Sequence, residues 1–272
     1  MGRIYSKLGI VSLALLMLPP FMTSVLAKEG LQTIRLQLQW KHQFQFAGFY
    51  AARERGYFRE AGLDVSFAEY RPGMDVTEEV LSGRADIGTS YSSVIQERME
   101  GKPIVLLSSY FKRSPLALVA NQNILSPAEL KNKKIAGKEG VLKRANLLQM
   151  CRKFGLSTDD FTVVPHTFSI DDFIEGKVDA VTVFLTNEIY DLLRRNATFN
   201  IMDPGNYGVP FYDVITFASD KFVEAHPKTI SGFIEASNKG WAYALDKPEE
   251  IVDLILEKYN TQNKSREHLL FE

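Results

Sequence analysis

Residues 36–52, LQLQWKHQFQFAGFYAA, predict a β-strand that runs through an aromatic-rich loop into a helix. Apolar and polar side chains alternate over residues 33–39, which is the pattern of a strand with one buried face. Phe46, Phe49 and Arg53 then recur at intervals of three and four residues, as on one face of a helix. The segment between these two elements is therefore a strand-to-helix turn.

This turn, residues 40–43, brings a tryptophan, a lysine, a histidine and a glutamine close together. In open α/β sheets, ligands bind beyond the carboxyl ends of the strands, where loops and helix N-termini converge. The turn is therefore a candidate ligand site. An alternative is open at this point, in which Trp40 packs beneath the sheet and His42 caps a helix.

The composition is that of a soluble globular protein of one or two domains. Of the 272 residues, 45% are hydrophobic and 24% are charged, and the formal net charge is −1. No charge excess therefore points to nucleic acid or to an anionic membrane. The single cysteine, Cys151, excludes an internal disulfide, and it shares a predicted helix face with Leu147 and Phe154. This position favours a buried structural thiol over a nucleophile.

Residues 1–27 have the pattern of a secretory signal peptide. Arg3 and Lys7 precede an apolar run over residues 8–18, and two prolines and a cleavage site after Ala27 follow. An uncleaved membrane anchor is the alternative, but a helix that spans a bilayer needs about 20 apolar residues. We therefore predict that the mature chain is periplasmic.

Strand and helix patterns alternate along the rest of the chain, which predicts a mostly parallel sheet covered by helices. One stretch recurs: LSGRADIGT at residues 81–89 is echoed by IEGKVDAVT at residues 174–182. Each copy has a helix-ending glycine, a basic residue and an aspartate before a strand, and each follows a helix that begins with a capping pair. The repeat predicts two similar α/β lobes.

The chain passes between these lobes at two predicted crossings. Residues 114–120 are an apolar, strand-like run that ends in a polar stretch at residues 121–123, and residues 213–218 form a second strand-like run after GVPFY at residues 208–212. We therefore predict one lobe from residues 31–115 plus 215–272 and a second lobe from residues 116–214. A ligand cleft is expected between them.

Cleft-lining residues are expected at the carboxyl ends of strands and at the two crossings. Most candidates are aromatic and the others carry hydrogen-bonding groups, which predicts a flat, neutral or cationic organic ligand. Glu188 has two interpretations: the N-terminal dipole of its helix favours it, or it accepts two hydrogen bonds from an aminopyrimidine-like edge. The predicted ligand-binding residues are Trp40, His42, Tyr70, Ser90, Tyr110, Ser114, Glu188, Tyr212 and Asp213.

The sequence lacks recognisable catalytic and metal-binding motifs. The four histidines share no metal-ligand spacing, and there is no phosphate-binding glycine loop or Gly-x-Ser-x-Gly elbow. We therefore predict no catalytic residues, no metal and no cofactor. A sulfonate ligand stays open as an alternative, since Lys138 or Arg144 can supply positive charge for its oxygens.

Several motifs together resemble bacterial substrate-binding proteins grouped with sulfonate-binding and thiamine-pyrimidine proteins. The motifs are LQLQWKHQFQFAGFYAARERGYFREAGLDV at residues 36–65, GRADIG at 83–88, GKVDAV at 176–181, TNEIYDL at 186–192 and GWAYAL at 240–245. The resemblance covers about residues 31–272. It implies a type-II periplasmic-binding-protein fold, with two α/β lobes, a cleft between them and two crossover strands. It also implies that Trp40, His42 and Glu188 lie near the ligand, as in the pyrimidine-binding branch.

The resemblance implies three functions, and we predict the first. This is an extracytoplasmic solute-binding protein that captures a small ligand, a thiamine pyrimidine precursor, for an ABC permease. The second is an extracytoplasmic sensor domain of a membrane signalling protein, a diguanylate cyclase or a histidine kinase, to which the QWKHQFQFAG variant looks closest. The third is a thiamine pyrimidine synthase that uses pyridoxal phosphate, although the cysteine-rich motif of that eukaryotic branch is absent. We predict no enzyme activity and no nucleic-acid partner.

Overall fold

A computed structural model describes residues 1–2, 30–137, 145–167 and 169–272. Backbone contacts divide the chain after Gly30, and the description below concerns Leu31–Glu272, which forms one unit. The predicted signal peptide lies outside the described residues, apart from its first two residues. In the part of the chain that is described, no helix is both long enough and apolar enough to cross a membrane.

Ten strands of the described residues form two five-stranded sheets. The strands are β1 (Gln32–Gln37), β2 (Leu63–Ala68), β3 (Ile87–Ser90), β4 (Ile104–Phe111), β5 (Leu116–Asn121), β6 (Lys134–Gly137), β7 (Thr162–Pro165), β8 (Ala180–Phe184), β9 (Phe199–Met202) and β10 (Asp213–Ser219). The first sheet has the strand order β2-β1-β3-β10-β4, and the second has the order β7-β6-β8-β5-β9.

Helices connect these strands and cover the sheets. The described α-helices are α1 (Ala47–Glu54), α2 (Tyr57–Glu60), α3 (Val76–Leu81), α4 (Ser93–Met99), α5 (Ala145–Lys153), α6 (Asp171–Ile174), α7 (Glu188–Arg194), α8 (Asp220–Ala225), α9 (Pro227–Asp246), α10 (Pro248–Lys258) and α11 (Arg266–Phe271). Short 3-10 helices lie at Phe44–Phe46, Pro127–Leu130, Thr158–Asp160 and Pro204–Tyr207.

Four strands of each sheet run in one direction and one strand runs against them. The reversed strand is β10 in the first sheet, between β3 and β4, and β5 in the second sheet, between β8 and β9. The chain enters each reversed strand just after it has crossed from the other sheet. Two sheets with the same plan confirm the predicted pair of similar α/β lobes. The lobe boundaries at residues 115 and 215 stay a prediction.

The stretch that opens the first lobe folds as its pattern predicts. Ile34 and Leu36 of β1 are both 0% exposed, and β1 pairs in parallel with β2, with Ile34 opposite Val65. The chain then turns and enters α1 through the 3-10 helix at Phe44–Phe46. Phe49 of α1 is fully buried in the same core. The period of two in the strand and the helical spacing that follows therefore both reflect burial on one face.

Helices α1 and α9 pack against each other at very short range through two glycines. A Cβ atom on Gly240 would lie 2.1 Å from the carbonyl oxygen of Gly48, and a Cβ atom on Gly48 would lie 2.2 Å from Cγ of Trp241. Both distances are shorter than any ordinary contact of a Cβ atom, so a side chain at either position requires the helices to move apart. This packing holds α1, and with it the turn that precedes it, against the first sheet.

Cys151 of α5 is only 1% exposed. Burial raises the pKa of its thiol to about 11, so the protonated form is retained at neutral pH. A protonated thiol is a weak nucleophile. The predicted burial of this cysteine is confirmed.

Candidate ligand-binding site

A small inner cavity lies where strand ends of the two sheets face each other. The first sheet contributes residues that follow β1 and β3, and the second contributes residues in or next to β5, β7 and β8. The lining residues are Trp40, Gln43, Gln45, Tyr91, Leu116, His166, Thr182, Val183, Phe184 and Glu188. A molecule in this cavity therefore contacts both sheets at once.

Trp40 forms the aromatic wall of this cavity. Its indole stacks on the ring of Tyr70, with ring centres 5.9 Å apart and planes 12° apart. The ring of His166 meets the indole edge-on, at 6.2 Å and 85°. Burial lowers the pKa of His166 below its usual value, so the neutral imidazole is favoured. Trp40 is thereby held in place by one residue of the first lobe and one of the second.

Glu188 supplies an acidic group to the lining of the inner cavity. Its carboxyl oxygens accept hydrogen bonds from the backbone N–H of Phe184, at 2.7 Å, and from the side-chain amide of Asn187, at 2.9 Å. Burial raises its pKa to about 7, against the opposing effect of the Phe184 N–H and of the charge on Lys264. Near neutral pH both protonation states are therefore populated, and the group can accept a proton or a hydrogen bond from an amine.

A second, larger cavity of about 360 Å³ shares Trp40 and Glu188 with the first. Polar side chains dominate its wall. It is lined by Trp40, Ser169, Ile170, Asn187, Glu188, Tyr190, Asp191, Arg194, Arg195, Gln262, Asn263, Lys264, Ser265 and His268. We call the two spaces the inner cavity and the outer cavity. Their shared residues place the outer cavity next to the inner one.

A buried ionic cluster borders the outer cavity. The amino group of Lys264 lies 2.5 Å from Oε1 of Glu272, with side chains 7% and 2% exposed, and it also donates to the amide oxygen of Asn187. The other carboxyl oxygen of Glu272 accepts from the backbone N–H of Phe44 at 2.7 Å. Burial and the neighbouring charge of Lys264 lower the pKa of His268 to about 4. The C-terminal helix α11 is thus tied both to the turn after β1 and to the start of α7.

Two of the predicted site residues fasten the crossings to each other. The carboxylate of Asp213, 1% exposed, accepts hydrogen bonds from the hydroxyl of Ser114 at 2.5 Å and from the amide of Gln39 at 3.0 Å. It also accepts from the backbone N–H of Val214 at 2.7 Å. The backbone N–H of Ser114 donates to the carbonyl of Phe211 at 2.6 Å. These contacts join the two crossings, and neither Ser114 nor Asp213 lines a described cavity, so their contact with a ligand stays a prediction.

His42 lines neither described cavity, and its contact with a ligand stays a prediction. Its Nδ1 atom lies 2.8 Å from the hydroxyl of Tyr50, and its ring centre lies 5.3 Å from that of Tyr259. Burial lowers its pKa, so the neutral form is favoured in this aromatic core. The imidazole turns away from the cavities because two tyrosines of the first lobe, one of them contributed by the end of α10, provide its packing.

Three further candidates also lie away from the described cavities. Tyr110 stacks on Trp241, with ring centres 5.4 Å apart, because α9 covers that face of β4. Tyr212 is 56% exposed in the return crossing. Ser90 is buried within β3, opposite Ile215 of β10. Ser90 is the last residue of β3, and the residue that follows it, Tyr91, lines the inner cavity.

Sequence reasoning missed Gln45, His166 and Thr182 as lining residues. His166 follows β7 directly, so the same rule of strand ends could have found it. Gln45 lies in the 3-10 helix at Phe44–Phe46, and no sequence pattern indicates the direction of its side chain. Lys138 and Arg144, considered as groups that bind a sulfonate, lie outside the described residues.

No group of three histidine, cysteine, aspartate or glutamate side chains that could hold a metal ion occurs in the described part of the chain. The polar groups of the residues that line the inner cavity are two amides, two hydroxyls, one indole N–H, one imidazole and one carboxyl. This set can form hydrogen bonds with an uncharged or basic ring.

Comparison with known proteins identifies relatives of this chain. A family model described as NMT1/THI5 like matches residues 43–251. The formylaminopyrimidine-binding protein of Halalkalibacterium halodurans is 28% identical, over 94% of this chain and 80% of that protein. The riboflavin-binding protein RibY of Chloroflexus aurantiacus is also 28% identical, over 85% and 68% respectively. A 4-amino-5-hydroxymethyl-2-methylpyrimidine phosphate synthase of Aspergillus parasiticus is 25% identical, over 79% and 68%.

Solved structures show the same fold. The periplasmic aliphatic sulphonate binding protein SsuA from Escherichia coli matches with a TM-score of 0.67 and 18% identity, over 88% of this chain and 81% of that chain. This likeness confirms the expected periplasmic-binding-protein fold. The family model covers well over half of the sequence. The chain therefore belongs to the NMT1/THI5-like family.

Proposed function

We propose that this protein is an extracytoplasmic solute-binding protein that holds a thiamine pyrimidine precursor and presents it to an ABC permease. The inner cavity carries the proposal, because the indole of Trp40 and the carboxyl of Glu188 line one space between the two sheets. An indole offers a flat apolar face to a ring, and a carboxylate accepts hydrogen bonds from amino groups. This pair suits a small ring that carries amino substituents.

The names of the relatives support a ring ligand. The formylaminopyrimidine-binding protein and the riboflavin-binding protein are both named for nitrogen heterocycles. The sulfonate alternative is supported by likeness of fold alone, at 18% identity. The aromatic and amide lining of the inner cavity favours the heterocycle.

A ligand in the inner cavity would stabilise the closed arrangement of the lobes. It touches residues that follow β1 in the first sheet and residues of β8 in the second, so it binds the closed state better than an open one. That differential affinity is the physical basis on which a permease can distinguish the loaded protein from the empty one. The proposal assigns binding and no reaction to this site, in agreement with the greater similarity to binding proteins than to the fungal synthase.

A sensor domain is a second candidate function, and the contacts of α11 favour it. Lys264 donates to Asn187, which in turn donates to Glu188 of the inner cavity. A ligand that moves Glu188 therefore also changes the surroundings of the C-terminal helix. The nucleotide sequence downstream of the codon for Glu272 distinguishes the two functions, since a sensor requires a membrane span and an output domain.

Thermal unfolding of the purified protein with added ligands tests the proposal. The panel contains formylaminopyrimidine, 4-amino-5-hydroxymethyl-2-methylpyrimidine, riboflavin and an alkanesulfonate. A ligand at about 1,000 times its dissociation constant adds about 4 kcal/mol of stability. We expect a pyrimidine to raise the melting temperature of the wild type.

Two alanine variants show whether the stabilising ligand occupies the proposed site. Trp40→Ala should weaken the binding of the pyrimidine at least about tenfold, because the aromatic wall is lost. Phe154→Ala, which removes a partly exposed ring that lines neither described cavity, should bind as the wild type does. The proposal fails if no ring compound stabilises the wild type, or if Trp40→Ala binds the pyrimidine unchanged.

A further inference from the structure

Two glutamines in the wall of the inner cavity carry polar atoms that have no partner among the described residues. Gln43 and Gln45 are 1% and 5% exposed, and the amide nitrogen of Gln43 donates to the amide oxygen of Gln45 at 2.5 Å. This single bond leaves Oε1 of Gln43 and Nε2 of Gln45 unbonded. Both residues line the cavity.

The pair presents one donor and one acceptor whichever way the amides are oriented. The oxygen and nitrogen of an amide are assigned from the hydrogen-bond network. If both amides are reversed, Gln45 donates to Gln43, and the pair then presents the nitrogen of Gln43 and the oxygen of Gln45. One donor and one acceptor remain in either case.

Unbonded polar atoms at this depth are rare because their desolvation is not offset by a hydrogen bond. A ligand that supplies the missing partners removes that penalty when it binds. The matching edge has a hydrogen-bond acceptor next to a hydrogen-bond donor, as in a ring nitrogen beside an amino group or in a cyclic amide.

We propose that Gln43 and Gln45 select the ligand by reading such a donor–acceptor edge. The inference rests on the proposed function, since it places the ring in the inner cavity, and it narrows the ligand to nitrogen heterocycles with this edge. Glu188, which also lines this cavity, is then available for a second polar group of the ring. A sulfonate presents acceptor oxygens only, and these would leave the acceptor of the glutamine pair unsatisfied and close to like charge.

Isothermal titration of the wild-type protein with two matched ligands makes the first test. One ligand is 4-amino-5-hydroxymethyl-2-methylpyrimidine, and the other is the same compound with hydrogen in place of its amino group. The compound without the amino group should bind about 10- to 100-fold more weakly, because one atom of the pair stays unbonded. This comparison does not depend on the folding of any variant.

Methionine variants then locate the discrimination. Gln43→Met and Gln45→Met keep the length of the side chain and remove its amide. One of the two glutamines accepts the hydrogen bond from the amino group of the ligand, and its methionine variant loses affinity only for the compound that has this group. In at least one variant, the ratio of the two affinities should therefore fall to about two or less. Gln122→Met, in an exposed loop, is the control and should keep the wild-type ratio.

Each outcome has a distinct meaning. If the wild type binds both compounds equally, the inference is wrong while the proposed function stands. A second outcome is that the wild type prefers the compound with the amino group while both methionine variants keep the same ratio of affinities and the circular dichroism of the wild type. In that case the glutamines do not bind this edge of the ligand. If the wild type binds neither compound, the proposed function fails and the inference fails with it.

Discussion

Replacing Glu188 by glutamine should remove a pH-dependent loss of stability in the ligand-free protein. Burial raises the pKa of this carboxyl from 4.5 to about 7. Because each pKa unit corresponds to about 1.4 kcal/mol, ionising Glu188 costs about 3 kcal/mol more in the folded protein than in the unfolded chain. That figure is the largest difference we expect between the two proteins.

The sign of the effect follows from linkage between proton binding and folding. Below about pH 4.5 the carboxyl is protonated in both states, so burial carries no ionisation penalty. Between pH 4.5 and about 7 the folded protein holds a proton that the unfolded chain has lost, so the stability of the wild type falls as the pH rises. Above this range the loss is constant. Glutamine does not ionise, so Glu188→Gln lacks this decline.

Urea unfolding at pH 5, 6, 7 and 8, followed by circular dichroism, measures the difference. The stability of Glu188→Gln minus that of the wild type should increase across this range by up to about 3 kcal/mol. The hydrogen bond from Asn187 is lost in the variant, which lowers its stability at every pH by about 1 kcal/mol and leaves the slope unchanged. Glu224→Gln is the control, because that exposed side chain is solvated in both states. Parallel curves for Glu188→Gln and the wild type would refute the reasoning.

Two further predictions concern packing and the ionic cluster. Gly240→Ala should destabilise the protein by about 1–3 kcal/mol in urea unfolding, because its Cβ would lie 2.1 Å from the carbonyl oxygen of Gly48, whereas Gly232→Ala on the same helix should be nearly neutral. Equal stability of the two alanine variants would contradict this packing. Lys264→Met should lower the free energy of unfolding by about 3–5 kcal/mol, because it leaves Glu272 buried without its partner. Adding Glu272→Gln to Lys264→Met should restore part of the lost free energy of unfolding. If the losses of the two single variants simply add in the double variant, the two side chains do not form the buried pair.

Much of the fold followed from local patterns in the chain. The period of two before Trp40 and the helical spacing after it predicted β1 and α1, because each pattern records which face of an element is buried. The recurring helix–glycine–aspartate–strand motif predicted two lobes of one plan, and each sheet indeed has four strands in one direction and one reversed strand. These features depend on residues close together in the sequence.

The candidate site was predictable only in part. The rule that ligands bind at the carboxyl ends of strands selected Trp40, and the position of Glu188 at the start of α7 selected that carboxyl; both residues line the inner cavity. The same rule also selected His42 and Tyr110, which pack into aromatic cores of the first lobe. The end of a strand determines the position of the backbone, but the packing of neighbouring side chains determines the direction of each side chain.

The sequence by itself determined the α/β plan, the strand-to-helix turn at Trp40 and the kind of groups that the turn would offer. Only the tertiary structure decided which groups meet. Gln43 and Gln45 become a donor–acceptor pair, and Lys264 and Glu272 a buried ion pair, because the packing of α1 and α11 removes them from water. Hydrogen bonding between side chains depends on distance, direction and burial, which are set by segments far apart in the chain. The periodicity of strands and helices, in contrast, depends only on consecutive residues.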